Sequence, residues 1–137
     1  MSWAERLPDW YDRLSAYLRE TRALPFAPGR HDCALFFAGA VNAMTGVDPA
    51  KGLRGTYSTI PGGLKRLKRL GYSDHIEMAR KLFPVSHWSE GRVGDGAIVT
   101  MADGPALGVV IGSHALFIED RRQMVLQLDK LENVVLV

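Results

Sequence analysis

Cysteine is almost absent: Cys33 is the single thiol in 137 residues. One cysteine closes no internal disulfide, so the chain is expected to fold in a reducing compartment, here the bacterial cytoplasm. Excess charge is scarce too. Seventeen basic residues stand against fifteen acidic ones, a net +2 that gives no reason to expect nucleic acid as a partner. No apolar run approaches the ~20 residues that cross a bilayer, so no membrane span is expected. The opening MSWAERLPDW lacks the basic-then-apolar layout of a secretion signal. Four scattered histidines and one cysteine provide no set of metal ligands at short spacing. GVVIGS lacks both the lysine and the strand-to-helix setting of a phosphate-cradling loop, so neither a metal nor a cofactor is expected. There is no repeat, low-complexity tract or linker, and residues 1–137 read as one domain.

The hydrophobic share is 47%, enough for a chain of this length to bury roughly two-thirds of its unfolded surface around a single core. Spacings of three and four between Leu7, Trp10, Tyr11, Leu14, Tyr17 and Leu18 predict a helix over residues 8–23, with Pro8 in its first turn. ALPFAPGR breaks it. A second helix is expected over 32–45, capped by Asp32 and stopped by Gly46, and apolar on nearly every side. LKRLKRLGY predicts a short helix with Leu64, Leu67 and Leu70 inward and Lys65, Arg66, Lys68 and Arg69 outward. SDHIEMARKLF predicts another, capped by Ser73. From residue 93 the pattern changes to short β-rich runs, GAIVTM, ALGVVIG, HALFIE, MVLQL and NVVLV, separated by turns. Helices first and an antiparallel meander second give an α+β fold, with the helices packed on a C-terminal antiparallel sheet.

Cys33 stands at the first turn of the apolar helix, where the free amides and the helix dipole favour a thiolate. A cysteine nucleophile also needs a histidine within reach and a third polar group to orient that histidine. The competing reading is a small buried side chain that only fills space.

DCALFFAGAV at the head of a helix, GRVGDGAIV as a turn into a strand, and ALGVVIGSHALFI as a hairpin resemble the NlpC-like cell-wall peptidases. These are a circularly permuted branch of the papain-like cysteine peptidases. HDC, TGVDPA, LRGTYST and GDGAIV carry most of the likeness, which covers residues 25–120. It is nearest to a small subgroup associated with tail genes of phages and gene transfer agents. The resemblance implies a papain-like fold, with Cys33 as nucleophile, Asp32 as the acid preceding it and Gly94-Asp95 as the turn into the first central strand. It also places Ala106 where active members carry the catalytic histidine, and an alanine accepts no proton.

Other histidines are then weighed as the base. His114, beyond a Gly112-Ser113 turn, is expected opposite Ile111, roughly 17 Å from Ala106 at about 3.3 Å per strand residue. His31 is expected to cap or to face solvent. His75, in a short surface helix, and His87, in a connection, are expected to be solvated or locally bonded. The first functional expectation is therefore a structural component of a phage-type tail tip: a pseudoenzyme on a peptidase-like fold, bound to other tail proteins and incorporated into a virion. Trp3 and Trp88 are possible anchors for such contacts, and NVVLV could pair with a neighbouring sheet. The alternative is an active cysteine endopeptidase or amidase acting on peptidoglycan, with Cys33 as nucleophile. KRLKR and Arg121-Arg122 are expected to be solvated rather than phosphate-binding.

Overall fold

The computed structural model describes residues 4–119 and 122–137. Trp3 and Arg121 lie outside the described residues. Four α-helices precede a six-stranded antiparallel sheet, an α+β arrangement. The helices are α1 (Trp10–Thr21), α2 (Cys33–Thr45), α3 (Ile60–Arg69) and α4 (His75–Leu82). The strands are β1 (Val85–Ser86), β2 (Gly96–Met101), β3 (Gly104–Val110), β4 (His114–Glu119), β5 (Arg122–Gln127) and β6 (Asn133–Val135). No helix among the described residues is long and apolar enough to cross a membrane.

α2 is the central element. The Asp32 side chain accepts from the Leu35 amide at 3.0 Å, and Gly46 closes the other end in the left-handed region at φ 80°. Every residue from Ala34 to Val41 is buried, because α2 packs on three sides. Phe36, Phe37, Ala40, Val41 and Met44 face the sheet and α1, while Leu35 and Ala38 face Ala50, Leu53, Leu67 and Met78. α1 crosses α2 at Gly39, where an added Cβ would strike the Tyr17 hydroxyl. That hydroxyl donates to the Phe36 carbonyl at 2.8 Å. Gly39→Ala is accordingly expected to cost about 1–3 kcal/mol through overpacking, read as a lower urea midpoint at unchanged slope.

The sheet order is β1-β6-β2-β3-β4-β5. β2 to β5 form the expected meander, but β6 crosses back and pairs with both β2 and β1. NVVLV is therefore an interior strand, and its β6 portion offers no free edge to a neighbour. The reason is that its side chains are apolar on both faces. Val135 enters the helix-side core with Ile98, Leu107, Val109, Leu116 and Ile118. Val134 enters a second cluster on the opposite face with Ala97, Val99, Val110, Ala115 and Phe117. Trp88 packs on that second cluster, partly buried.

Several boundaries and faces differ from the sequence expectation. α1 is shorter, because Leu7 is drawn onto the end of α2 by a bond from its amide to the Met44 carbonyl, 2.8 Å. α3 starts at Ile60, capped by Thr59 through the Gly62 amide at 3.0 Å. Of the three leucines expected to point inward only Leu67 is buried; Leu64 and Leu70, the latter just past the end of α3, remain exposed. Asp74, not Ser73, caps α4, accepting from the Glu77 amide at 2.8 Å, while the Ser73 hydroxyl bonds the Glu77 carboxylate at 2.9 Å.

Candidate functional site

The start of α2, the connection carrying Tyr57, α3, the start of α4 and the start of β3 surround one open cleft of about 510 Å³. Cys33 lies in it with Asp32, Tyr57, His75, Asp74 and Asp103; Phe26, Ile60, Leu64 and Pro105 add apolar wall. Neither Phe36 nor Tyr57 fills the cleft: Phe36 is fully buried in the core, and Tyr57 forms part of the wall.

Asp32 holds this region together. Its carboxylate is buried and accepts from the Leu35 amide at 3.0 Å, the Gly29 amide at 3.0 Å and the Tyr57 hydroxyl at 2.6 Å. Gly29 is required here. Its φ is 85°, and a Cβ would run into the Tyr57 carbonyl. Burial, followed by the bond to Asp32, raises the Tyr57 phenol pKa, so this hydroxyl stays a donor.

Cys33 does not rest as a thiolate. Burial first, and then the Asp32 charge, push its pKa up to about 11, against a smaller opposing effect of the Leu107, Ala34 and Cys33 amides. With the pKa at about 11, about one thiol in 10⁴ is ionised at pH 7, against about one in 30 for an ordinary cysteine. Iodoacetamide should therefore modify Cys33 about 300-fold more slowly than a free thiol at pH 7, with the rate climbing about tenfold per unit toward pH 11. Mass spectrometry across a pH series reads this directly, and fast labelling at pH 7 would contradict a protonated resting state.

β3 alternates, and its parity decides what Cys33 meets. Leu107 and Val109 belong to the helix-side core, whereas Ala106 packs on the opposite cluster. Ala106 therefore faces the side of the sheet opposite Cys33. Pro105, on the helix side, lines the cleft. A histidine at position 106 would point away from Cys33.

The remaining histidines separate clearly. His114 pairs with Gln127, and its carbonyl accepts from Ile111 at 2.8 Å, as the hairpin reading expects. Its side chain lines a different hollow with Trp88 and Leu128. His31 is 7% exposed and neither caps nor faces solvent. The Ala27–His31 bridge turns it into a second cavity with Thr21, Ile118 and Glu119. His87 is locally bonded to Ser89 at 2.7 Å, as expected.

His75 is the correction. Rather than being solvated, it is largely buried in the Cys33 cleft, and burial lowers its pKa against the charges of Asp74 and Asp32 and a bond to the Pro105 backbone. Nε2 is buried with no partner. A buried polar atom left without a partner is a costly state. The sequence carried one faint signal: His75 follows the Asp74 cap, at a helix end that must approach the sheet.

None of the curated proteins matches this chain. A family model described as a domain of unknown function (DUF6950) matches residues 5–134, which takes in every element of the cleft and the whole sheet apart from Val135. The chain belongs to the DUF6950 family.

Proposed function

We propose that the domain is a structural component of a phage-type tail tip, built on an NlpC-like, papain-like fold whose strand position facing the cysteine has lost its histidine. The observation that carries this reading is Pro105, which occupies the helix-facing position of β3 in the cleft and has no proton acceptor in its side chain. The protonated Cys33 thiol agrees with it. The tail assignment rests on the sequence resemblance, with other tail proteins as partners. Along α3, Ile60, Leu64 and Leu70 are 51%, 37% and 49% exposed, apolar contact area beside the cleft that a neighbouring subunit could cover.

Particles purified from the source strain should contain this chain in their tail fraction. A strain carrying Cys33→Ser should yield particles in equal number, because the thiol plays no part in assembly. Tails free of the chain would remove the proposal. The second reading, a cysteine amidase or endopeptidase on peptidoglycan, is favoured by the position of His75 and is compatible with a place in the tail.

A further inference from the structure

We propose that the cavity beside His31 is a binding site for a small carboxylate with an apolar body, held by the His31 ring, the Gln123 amide and the Arg22 guanidinium. This goes beyond the tail assignment and does not depend on it.

The cavity, about 330 Å³, lies where the chain leaves α1. That helix stops at Thr21, and the proline-bearing connection 22–26 forms one wall. Ile118 and Glu119 of β4, with Gln123 of β5, form the other. The bridge between Ala27 and His31 sets the His31 side chain in the same space. Phe26 lines both this cavity and the Cys33 cleft, so the two are neighbours that share a wall.

Three polar side chains meet there with unspent bonding capacity. His31 is 7% exposed, yet its ring makes no hydrogen bond among the described residues and meets only Phe36, edge-on, with 6.1 Å between ring centres. Buried polar side chains are ordinarily bonded, so the missing partner is expected from the cavity. Gln123 and Arg22 also lack a side-chain partner among the described residues; Arg22 is exposed, which puts it at the mouth. Glu119, the acid of the wall, is already engaged in an interaction of its own. Arg22 is therefore the unanswered charge.

The free groups select the ligand. Burial lowers the His31 pKa against the charge of Asp32, so the ring is neutral at pH 7 and offers one N–H. With the Gln123 amide and the forked guanidinium, donors outnumber acceptors around a single free positive charge. A carboxylate answers both: its oxygens take the guanidinium side-on and keep lone pairs for the amide and the imidazole. A dianion would bring a second charge against Glu119 with no cation to meet it. Leu24, Phe26 and Ile118 supply the apolar wall that small-molecule sites combine with a few placed polar groups.

The test is a titration of the unmodified protein with isocaproate at pH 7, following the ring protons of His31 by NMR. Isocaproamide has the same shape without the charge, and acetate has the charge without the body. A saturable shift of the His31 signals is expected with isocaproate at millimolar concentrations, and binding at least about tenfold weaker with either of the other two. Because Arg22 is exposed, Arg22→Gln should fold like the parent and bind isocaproate about 10–100-fold more weakly, the range of a charged hydrogen bond. Gln123→Leu should lose about fivefold. His31 signals that stay in place with all three ligands would mean that the cavity takes up water only, and would overturn the proposal. Isocaproamide binding as tightly as isocaproate, or Arg22→Gln keeping the parental affinity, overturns it as well.

Discussion

Arg6→Ala is expected to lower unfolding stability by about 3–5 kcal/mol at pH 7, because it leaves a buried carboxylate without its counter-charge. Arg6 Nη2 meets Asp95 Oδ1 at 3.2 Å, and the Asp95 side chain is 4% exposed. The guanidinium also donates to the Val93 carbonyl at 2.8 Å and the Val137 carbonyl at 3.1 Å, and it lies over the Trp10 ring. Asp95 in turn accepts from the Arg92 and Val137 amides, both at 2.9 Å. One pair thus ties the approach to α1, the turn before β2 and the chain two residues past β6. Burial nonetheless outweighs pairing on both sides: it lowers the Arg6 pKa and raises that of Asp95. The sign for pH follows. A carboxyl whose folded pKa lies above its unfolded one contributes most stability when protonated, and loses that contribution as pH rises through the folded value. Removing Arg6 raises the folded pKa further. The deficit of Arg6→Ala should therefore be greatest at neutral pH and shrink as pH falls toward the carboxylate range. Urea unfolding at pH 7 and pH 4 measures both. An equal deficit at the two values would show that Arg6 acts through its carbonyl bonds and Trp10 instead of through charge.

Local chemistry made α2, its Asp32 and Gly46 caps and the β2–β5 meander legible in the sequence. Each is set by residues adjacent to it: a carboxylate before an apolar run, a glycine after it, alternation between turns. What escaped is non-local. Nothing in NVVLV says that β6 returns to lie between β1 and β2, because strand partners are chosen by which edges the rest of the fold leaves open. The facing of Ala106 escaped for a sharper reason. Strand side chains alternate with period two, so a motif match displaced by one residue reverses the face. Pro105 lines the cleft and Ala106 does not.

His75 escaped because its helix is short and polar in appearance, and Lys81 and Glu77 do form a solvent-side pair at 3.1 Å. α4 packs against β3 there, which the periodicity of α4 cannot report. Cys33 was legible as a position but not as a chemical state. The helix amides do favour ionisation, yet burial and the Asp32 charge outweigh them. The acid that caps the nucleophile's helix also opposes the nucleophile's charge.

That double role makes Asp32 the site where stability and thiol reactivity should move in opposite directions. Asp32→Ala removes the cap on Leu35, worth about 1 kcal/mol. It also strands the Gly29 amide and the Tyr57 hydroxyl, at about 1–3 kcal/mol each where no water replaces the lost acceptor. A total of about 3–5 kcal/mol is expected. Asp32→Asn should cost less, about 1–3 kcal/mol. Its carbonyl oxygen can still cap Leu35, and the Tyr57 hydroxyl can turn to accept from the new amide, but the Gly29 amide finds a donor where it had an acceptor. Asp32→Asn also deletes the negative charge that helps to raise the Cys33 pKa. Its thiol should therefore ionise at lower pH and react faster with iodoacetamide at pH 8 than the parent, despite the weaker fold. Labelling must be measured well below the unfolding midpoint, so that it reports the native cleft. Slower or unchanged labelling in a folded Asp32→Asn protein would mean that burial alone sets the thiol, and that Asp32 serves the architecture only.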